Sequence, residues 1–278
     1  MERTDRHRET LERAARSIAS ADALLITAGA GMGVDSGLPD FRSEGGFWRC
    51  YPRLAQLGLG FEDMAQPRWF RDDARMAWAF YGDRRALYRR TTPHAGFAAL
   101  LRVAQSTPRG YFVYTSNVDG QFETAGFAAD RVVACHGSIH HEQCVRPCTP
   151  AIWPAAEREL EIDERTFRVQ GELPRCTRCG LLARPNVLMF GDAAWISTLT
   201  DAAWSRLRRW LEGLGDAALA IVELGAGVDL PAVRGFSEHV AASLAATLVR
   251  INPRAAGGPP GTLSIELPAR AALEAMHL

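Results

Sequence analysis

Two cysteine pairs, Cys144-x3-Cys148 and Cys176-x2-Cys179, stand 27 residues apart. Pairs at that spacing bring four thiolates to one cation, the donor set of a structural zinc site with no open position. His136 leaves the apolar run "RVVAC" and is followed by Gly137 and Ser138. An imidazole titrating near its ordinary value of about 6.5 can take a proton at neutral pH; the plain alternative is a structural histidine with satisfied nitrogens. Asn117 and Asp119 sit in "TSNVDG" at the end of a second apolar run, where "NVDG" is also a good turn. Gly29, Ala30 and Gly31 follow a third run, "ALLIT". Glycines there let backbone approach a phosphate, although many such turns bind nothing. The spacing Gly-x-Gly-x-x-Gly is not met, because Val34 stands in its last place. Leu38-Pro39 then forces an extended loop, and Asp40, Phe41 and Arg42 supply an acceptor, a stacking face and a cation. Tyr81 and Arg84 are three apart in a helical pattern and share a face. A guanidinium fork suits a carboxylate; the alternative is an arginine-rich solvated helix face.

These residues need elements to hold them. Arg6–Ala19 reads as an amphipathic helix, and Phe61–Arg90 has helical periodicity broken near Pro67. Strands are predicted at Ala23–Thr27, Gly110–Gly120, Arg131–Ser138, Ala218–Gly227 and Ala246–Pro253, with the helical patterns "AGFAALLRVAQS", "LTDAAWSRLRRWLEGL" and "AVRGFSEHVAASLAA" between them. Strands alternating with helices predict an α/β fold, a parallel sheet with helices on both faces. In such sheets ligands bind at the carboxyl ends of the strands. Residues 29–42, 117–119, His136, Gly225–Gly227 and Asn252 all fall at those ends. Residues 139–184 break the alternation, with cysteines and prolines in an irregular run. The expected organisation is a main unit of 1–43, 91–138 and 185–278, a helical insertion at 44–90, and a small module at 139–184.

The 278 residues are 47% apolar, with 32 basic and 32 acidic side chains. Zero net charge gives no global field for nucleic acid or an anionic membrane. Every basic residue is arginine, which a GC-rich genome would produce. The N-terminus lacks the apolar core of a secretory signal, and the longest apolar stretch, "AALAIVELGAGV", is too short to span a bilayer. A cytoplasmic chain is expected, in which six cysteines read as metal ligands or core thiols rather than disulfides. Cys135 reads as a core thiol and Cys50 is left open.

"GAGMGVDSGLPDFRS" resembles the first signature of the sirtuins, NAD-dependent protein deacylases, and "TSNVDG" resembles their second. "CHGS" is similar to the motif carrying their catalytic histidine, and "RPNVLMFGD" to their substrate-pairing segment. "LGAG" and "INP" fall where sirtuins contact the adenosine half of NAD. The motifs keep the family order from residue 23 to about 253. The resemblance implies a Rossmann-like domain for the main unit, a zinc-binding module at 139–184, and a cofactor loop with helices at 44–90. It implies that Gly29, Ala30, Gly31, Asp40, Phe41, Arg42, Ser116, Asn117, Asp119, Gly225, Ala226, Gly227 and Asn252 meet NAD. Asp40 would help twist the nicotinamide carboxamide, in a dry site where charge develops as nicotinamide leaves. The acyl oxygen would attack the ribose carbon, and His136 would then activate the neighbouring hydroxyl, with Asn117 and Asp119 holding water, ribose and nicotinamide amide. Val187, Met189 and Phe190 would pair an acylated peptide as an added strand. Sirtuins that prefer acidic acyl groups carry a Tyr-x-x-Arg pair after a "GFW"-like loop, here Tyr81, Arg84 and Gly46–Trp48. Cys144, Cys148, Cys176 and Cys179 would be the zinc ligands, the first pair one residue wider than usual.

The chain departs from the family pattern mainly on the cofactor side. Ser116 replaces a glutamine, Ala226 and Gly227 replace a threonine and a serine, Gly33 replaces a serine, Phe122 a histidine and Asp192 a glutamate. A lost neutral hydrogen bond is worth roughly 0.5–1.5 kcal/mol. The expected function is removal of an acyl group from protein lysine, giving nicotinamide, O-acyl-ADP-ribose and free lysine. Two alternatives stand beside it: a protein ADP-ribosyltransferase or NAD hydrolase using the same cleft, and a non-catalytic sensor of NAD or ADP-ribose.

Overall fold

A computed structural model describes residues 2–39 and 44–278. Its strands in chain order are β1 (Ala23–Ala28), β2 (Tyr111–Thr115), β3 (Val132–Ala134), β4 (Gly137–Cys144), β5 (Trp153–Pro154), β6 (Ile162–Asp163), β7 (Arg168–Val169), β8 (Ala183–Val187), β9 (Leu219–Leu224), β10 (Thr247–Ile251) and β11 (Leu263–Ile265). Six form one sheet in the order β3-β2-β1-β9-β10-β11, with every pairing parallel. The chain builds outward from β1 to one side, then returns to build from β1 to the other. The reversal lies between β1 and β9, and the crevice above it is where a doubly wound sheet takes its ligand.

The sequences of β1 ("ALLITA") and β9 ("LAIVEL") are buried at every position, as central parallel strands covered on both faces must be. One face packs Leu24, Ile26, Val222 and Val249 against Ile18, Phe97, Leu100 and Leu273. These come from the helices Glu2–Ala19, Ala95–Ser106 and Ala269–Ala275. The other face packs Leu25, Ile221 and Leu248 against Leu207 and Val240, from the helices Thr198–Glu212 and Ala232–Ser243. A third apolar cluster joins Phe47, Tyr51, Trp78, Phe80 and Tyr81 to Val169, Val187 and Met189. The helices of the 44–90 segment and the segment carrying the cysteines therefore share one core.

Three arginines are buried as ion pairs, among them Arg184 with Asp192. Arg85, on the helix Ala74–Arg90, donates to Glu142 of β4 at 2.8 Å. Arg250 of β10 lies opposite Glu223 of β9 and donates to it at 2.6 and 3.0 Å, to Glu238 at 2.8 Å and to the Gly257 carbonyl at 2.7 Å. Such pairs add little net stability, but removing one partner strands a buried charge at a cost of about 3–5 kcal/mol.

Three features differ from the sequence reading. The polar exit expected within Arg131–Ser138 is a corner: β3 ends at Ala134, the chain turns through Cys135 and His136, and it restarts at Gly137 as β4 in a second sheet ordered β5-β4-β8. The segment expected to be irregular holds β5, the β6–β7 hairpin and most of β4. β11 and the helix Ala269–Ala275 were not anticipated, because three residues are too few to register as a strand pattern. Cys135 is half-buried at the edge of the core and Cys50 is exposed. No helix among the described residues is long and apolar enough to cross a membrane.

Candidate functional site

The exits of β1 and β9 meet above the reversal point. The Gly31 N–H donates to the Gly225 carbonyl at 3.0 Å, and the Gly29 N–H to that of Leu224 at 3.0 Å. Gly225 has φ +59°, and a Cβ there would lie 2.4 Å from the Gly31 Cα. Glycine is required on both counts. The two loops touch backbone to backbone, so the contact between them already explains glycines at 29, 31 and 225. Asn252, at the exit of β10, donates from Nδ2 to the Ala226 carbonyl at 2.9 Å and accepts from the Arg254 and Ala255 N–H groups at 2.9 Å each. Its amide clamps the Gly225–Gly227 turn to the loop after β10.

The exit of β2 is tied to this cradle. Thr115 Oγ1 donates to the Ala28 carbonyl and accepts from the Asn117 N–H, both at 3.0 Å. Asn117 Nδ2 donates to the Gly29 carbonyl at 3.0 Å. The third exit, after β3, is the corner at His136. Gly137 takes φ +77°, and a Cβ there would lie 2.1 Å from the Asn186 carbonyl oxygen, so only glycine lets β4 close on β8. The His136 carbonyl accepts from the Leu188 N–H at 2.9 Å. A register shift between Ser138 and Glu142 turns the next residues back over the β2 exit. There the Ile139 N–H donates to the Val118 carbonyl at 3.1 Å, and His140 Nε2 lies 2.8 Å from the Asp119 carbonyl. Burial lowers the His140 pKa, which keeps the ring neutral with Nε2 as the donor.

These segments enclose a cavity of about 230 Å³. Ala30, Ser116, Asn117, Asp119 and His136 line it from the strand exits, Tyr81 and Arg84 from the helix Ala74–Arg90, and Val187, Met189 and Phe190 from the end of β8. Phe190 is also held from its backbone, its N–H donating to the Ala65 carbonyl at 2.9 Å. Gly29, Gly31, Gly225–Gly227 and Asn252 do not line this cavity; they form the cradle beside it, joined through Ala30 and the Asn117–Gly29 bond. Asp40, Phe41 and Arg42 lie outside the described residues. Tyr81 and Arg84 are only 1% and 6% exposed, so they are not on a solvated face. Phe61, Ala65, Tyr88, Val118, Leu188 and Leu230 also line it and were not singled out from the sequence as site residues, whereas Leu38 and Pro39, likewise in the lining, were read only as an extended loop. Only Tyr88 left a signal, standing four residues beyond Arg84 on the same helical face.

Asp119 is the unusual carboxylate. Burial pushes its pKa up from 3.8 to about 6, against a backbone hydrogen bond from the Gln121 N–H at 2.9 Å. A folded-state value above the unfolded one favours folding only while the group is protonated. That contribution is complete below about pH 4 and is lost as pH rises through about 6. At pH 7 the buried charge is a net cost. Asp119→Asn keeps Oδ1 for the Gln121 N–H, so it is expected to raise stability by roughly 1–3 kcal/mol at pH 7. The gain should shrink toward nothing near pH 4. Urea unfolding at both pH values checks this, and a variant less stable than the wild type at pH 7 would refute it.

A second site lies at the far end of the β4–β8 pair. The Sγ atoms of Cys144, Cys148, Cys176 and Cys179 all lie within 4.8 Å of one another, with Cys144–Cys179 and Cys148–Cys176 both at 3.7 Å. Four sulfurs about 2.3 Å from one tetrahedral zinc ion stand roughly 3.8 Å apart, so the thiols fit that ion. Backbone N–H groups of Cys179 and Arg178 lower the Cys176 pKa, while the neighbouring thiols, Cys179 foremost, raise that of Cys148. Four protein ligands leave no open position, which makes the site structural.

A Sir2 family model matches residues 29–208. The chain is 31% identical over 245 residues to an NAD-dependent protein deacylase of Methylococcus capsulatus, covering 85% of this chain and 84% of that one. It is 32% identical over 238 residues to NAD-dependent protein deacylase 1 of Pseudomonas aeruginosa, covering 85% of each. Among solved structures, a Sir2 homolog–NAD complex superposes with a TM-score of 0.70 at 23% identity, covering 96% of this chain and 92% of that one.

Proposed function

The chain belongs to the Sir2 family, and from that premise we propose that it removes acyl groups from protein lysine at the expense of NAD. The observation that carries the reading is the convergence of His136, Asn117 and Asp119 on one cavity. That cavity borders the glycine cradle on one side and the end of β8 on the other. NAD, when bound, supplies the ribose carbon that takes the acyl oxygen as nicotinamide leaves. The N–H groups of Gly29, Gly31 and Gly225 are taken by backbone carbonyls, so the cradle would meet its phosphates through those of Ala30, Ala226 and Gly227, which need no side-chain hydroxyl. Asn252 holds the second turn in shape rather than reaching the adenosine itself.

The chain's own groups then divide the work. Asp119, ionised above about pH 6, accepts from the nicotinamide amide. Asn117, fixed by its bond to the Gly29 carbonyl, places its remaining amide oxygen toward ribose or water. His136 takes the proton of the ribose hydroxyl next to the acylated carbon. Val187, Met189 and Phe190 receive the peptide as an added strand. Tyr81 and Arg84 read the far end of the acyl chain, and a buried guanidinium there favours an acyl group ending in a carboxylate, such as succinyl. Four-thiolate zinc keeps to the distant module and takes no part in the chemistry. Cysteines held as thiols rather than disulfides support a cytoplasmic location.

The test is to incubate the protein with NAD and matched acetyl- and succinyl-lysine peptides, following nicotinamide and deacylated peptide by mass spectrometry. Peptide-dependent nicotinamide release, faster with the succinyl peptide, is expected. Release indifferent to peptide would replace the reading with an NAD hydrolase or ADP-ribosyltransferase.

A further inference from the structure

The acyl end of the cavity holds one more polar group. Tyr88 lies four residues after Arg84 on the helix Ala74–Arg90, and both line the cavity with Tyr81. The Tyr88 hydroxyl accepts two hydrogen bonds from one edge of the Arg84 guanidinium, from Nε at 3.2 Å and from Nη2 at 2.8 Å. Both side chains are buried. The rings of Phe61, Phe80, Tyr81 and Tyr88 surround the guanidinium carbon, their centroids 5.2–5.8 Å away. Ring faces attract a cation but leave its orientation loose. The paired bonds to Tyr88 are directional and fix which way the plane of the guanidinium turns. A phenol also differs from a carboxylate in this place. Burial raises the Tyr88 pKa, so the hydroxyl stays neutral and holds the cation without cancelling its charge.

Tyr81 complements this arrangement. Its hydroxyl is buried and has no hydrogen-bond partner among the described residues, and burial pushes its pKa up to about 12, so it remains a donor. A buried donor without a partner costs stability, which a ligand oxygen in the cavity would relieve.

We propose that Tyr88 is a positioning residue for acyl-chain selection: it orients Arg84 so that Arg84 and Tyr81 together receive the terminal carboxylate of an acidic acyl-lysine. This rests on the deacylase reading above and extends it to a residue that meets the acyl group only through Arg84. Because it acts through Arg84, its effect must vanish when Arg84 is gone. A structural role would instead slow all substrates alike.

The experiment is steady-state kinetics on full-length wild type, Tyr88→Phe, Arg84→Met and the double variant, using succinyl- and acetyl-lysine peptides of one sequence. A hydrogen bond to a charged group is worth enough that Tyr88→Phe should lower the succinyl-to-acetyl ratio of kcat/KM by roughly tenfold, chiefly by raising the succinyl KM. The double variant should match Arg84→Met alone. Tyr88→Gln, which keeps an acceptor oxygen, should recover part of the ratio lost in Tyr88→Phe, and this comparison carries the test if thermal melting shows one variant unfolded. An unchanged ratio in Tyr88→Phe, or losses that multiply in the double variant, overturns the role of Tyr88 while leaving the deacylase intact. A wild type that prefers the acetyl peptide overturns the carboxylate reading and Tyr88 with it. No release with any peptide overturns the deacylase reading itself.

Discussion

His136→Ala is expected to cut formation of deacylated peptide by roughly 10²–10⁴-fold, the range for loss of a positioned general base. Exchange of labelled nicotinamide into NAD should persist. On the proposed reading the two outcomes separate, because His136 acts after nicotinamide has left. Departure of nicotinamide depends on the acyl oxygen and on Asp119, whereas transfer of the acyl group needs the ribose hydroxyl to lose its proton. His136 stands at the corner between β3 and β4, held by the bond from the Leu188 N–H to its carbonyl. That bond and the close approach of Gly137 to Asn186 use backbone atoms, so truncating the imidazole leaves both in place. Mass spectrometry of the peptide beside isotope exchange into NAD checks the prediction. Loss of exchange together with deacylation would show that His136 acts earlier, and full retention of deacylation would remove it from the chemistry.

The strand exits were legible because central parallel strands are buried on both faces and appear as unbroken apolar runs. Ala23–Thr27 and Ala218–Gly227 were placed on that basis, and the polar residues after them had to lie at one edge of the sheet. What could not be read was the geometry between exits. The glycines at 29, 31 and 225 look the same in sequence whether they meet a phosphate or each other; the 2.4 Å approach reveals the second reason. Asn252 was read as a cofactor contact, yet its amide is engaged by backbone of two loops. The segment 139–184 looked irregular because its strands are short and one of them bulges. Nor could sequence show that Glu142, Asp192 and Glu223 wait inside the fold to pair with Arg85, Arg184 and Arg250.

The bulged β4–β8 pair also sets the largest effect expected on stability. Its near end carries His136 and the strand of Val187–Phe190; its far end carries the four cysteines. Eight residues of β4 span roughly 26 Å, so the metal does not touch the cavity. Held by those four thiols, it would fix the register in which β4 and β8 meet. Cys144 closes β4, and the Val145 N–H donates to the Leu182 carbonyl at 3.0 Å just before β8 begins. Without the ion, the β4–β8 ladder, this bond, the Asn186–Gln143 hydrogen bond and the apolar cluster would be left to hold the turn with Cys176 and Cys179 against β4. Structural zinc supplies folding free energy directly. Cys176→Ser is therefore expected to destabilise the protein by about 5 kcal/mol or more, a fall of roughly 10–20 °C in melting temperature. Deacylation should be lost in parallel, since a slipped β4 moves Gly137 away from Asn186 and His136 with it. The wild type should carry one zinc per chain by elemental analysis, and a strong chelator should reproduce the variant's melting curve. A metal-free wild type with undiminished melting temperature would sink the structural role of the site. A zinc-loaded wild type whose Cys176→Ser variant keeps both its stability and its deacylation would show that β4 and β8 hold their register without the ion.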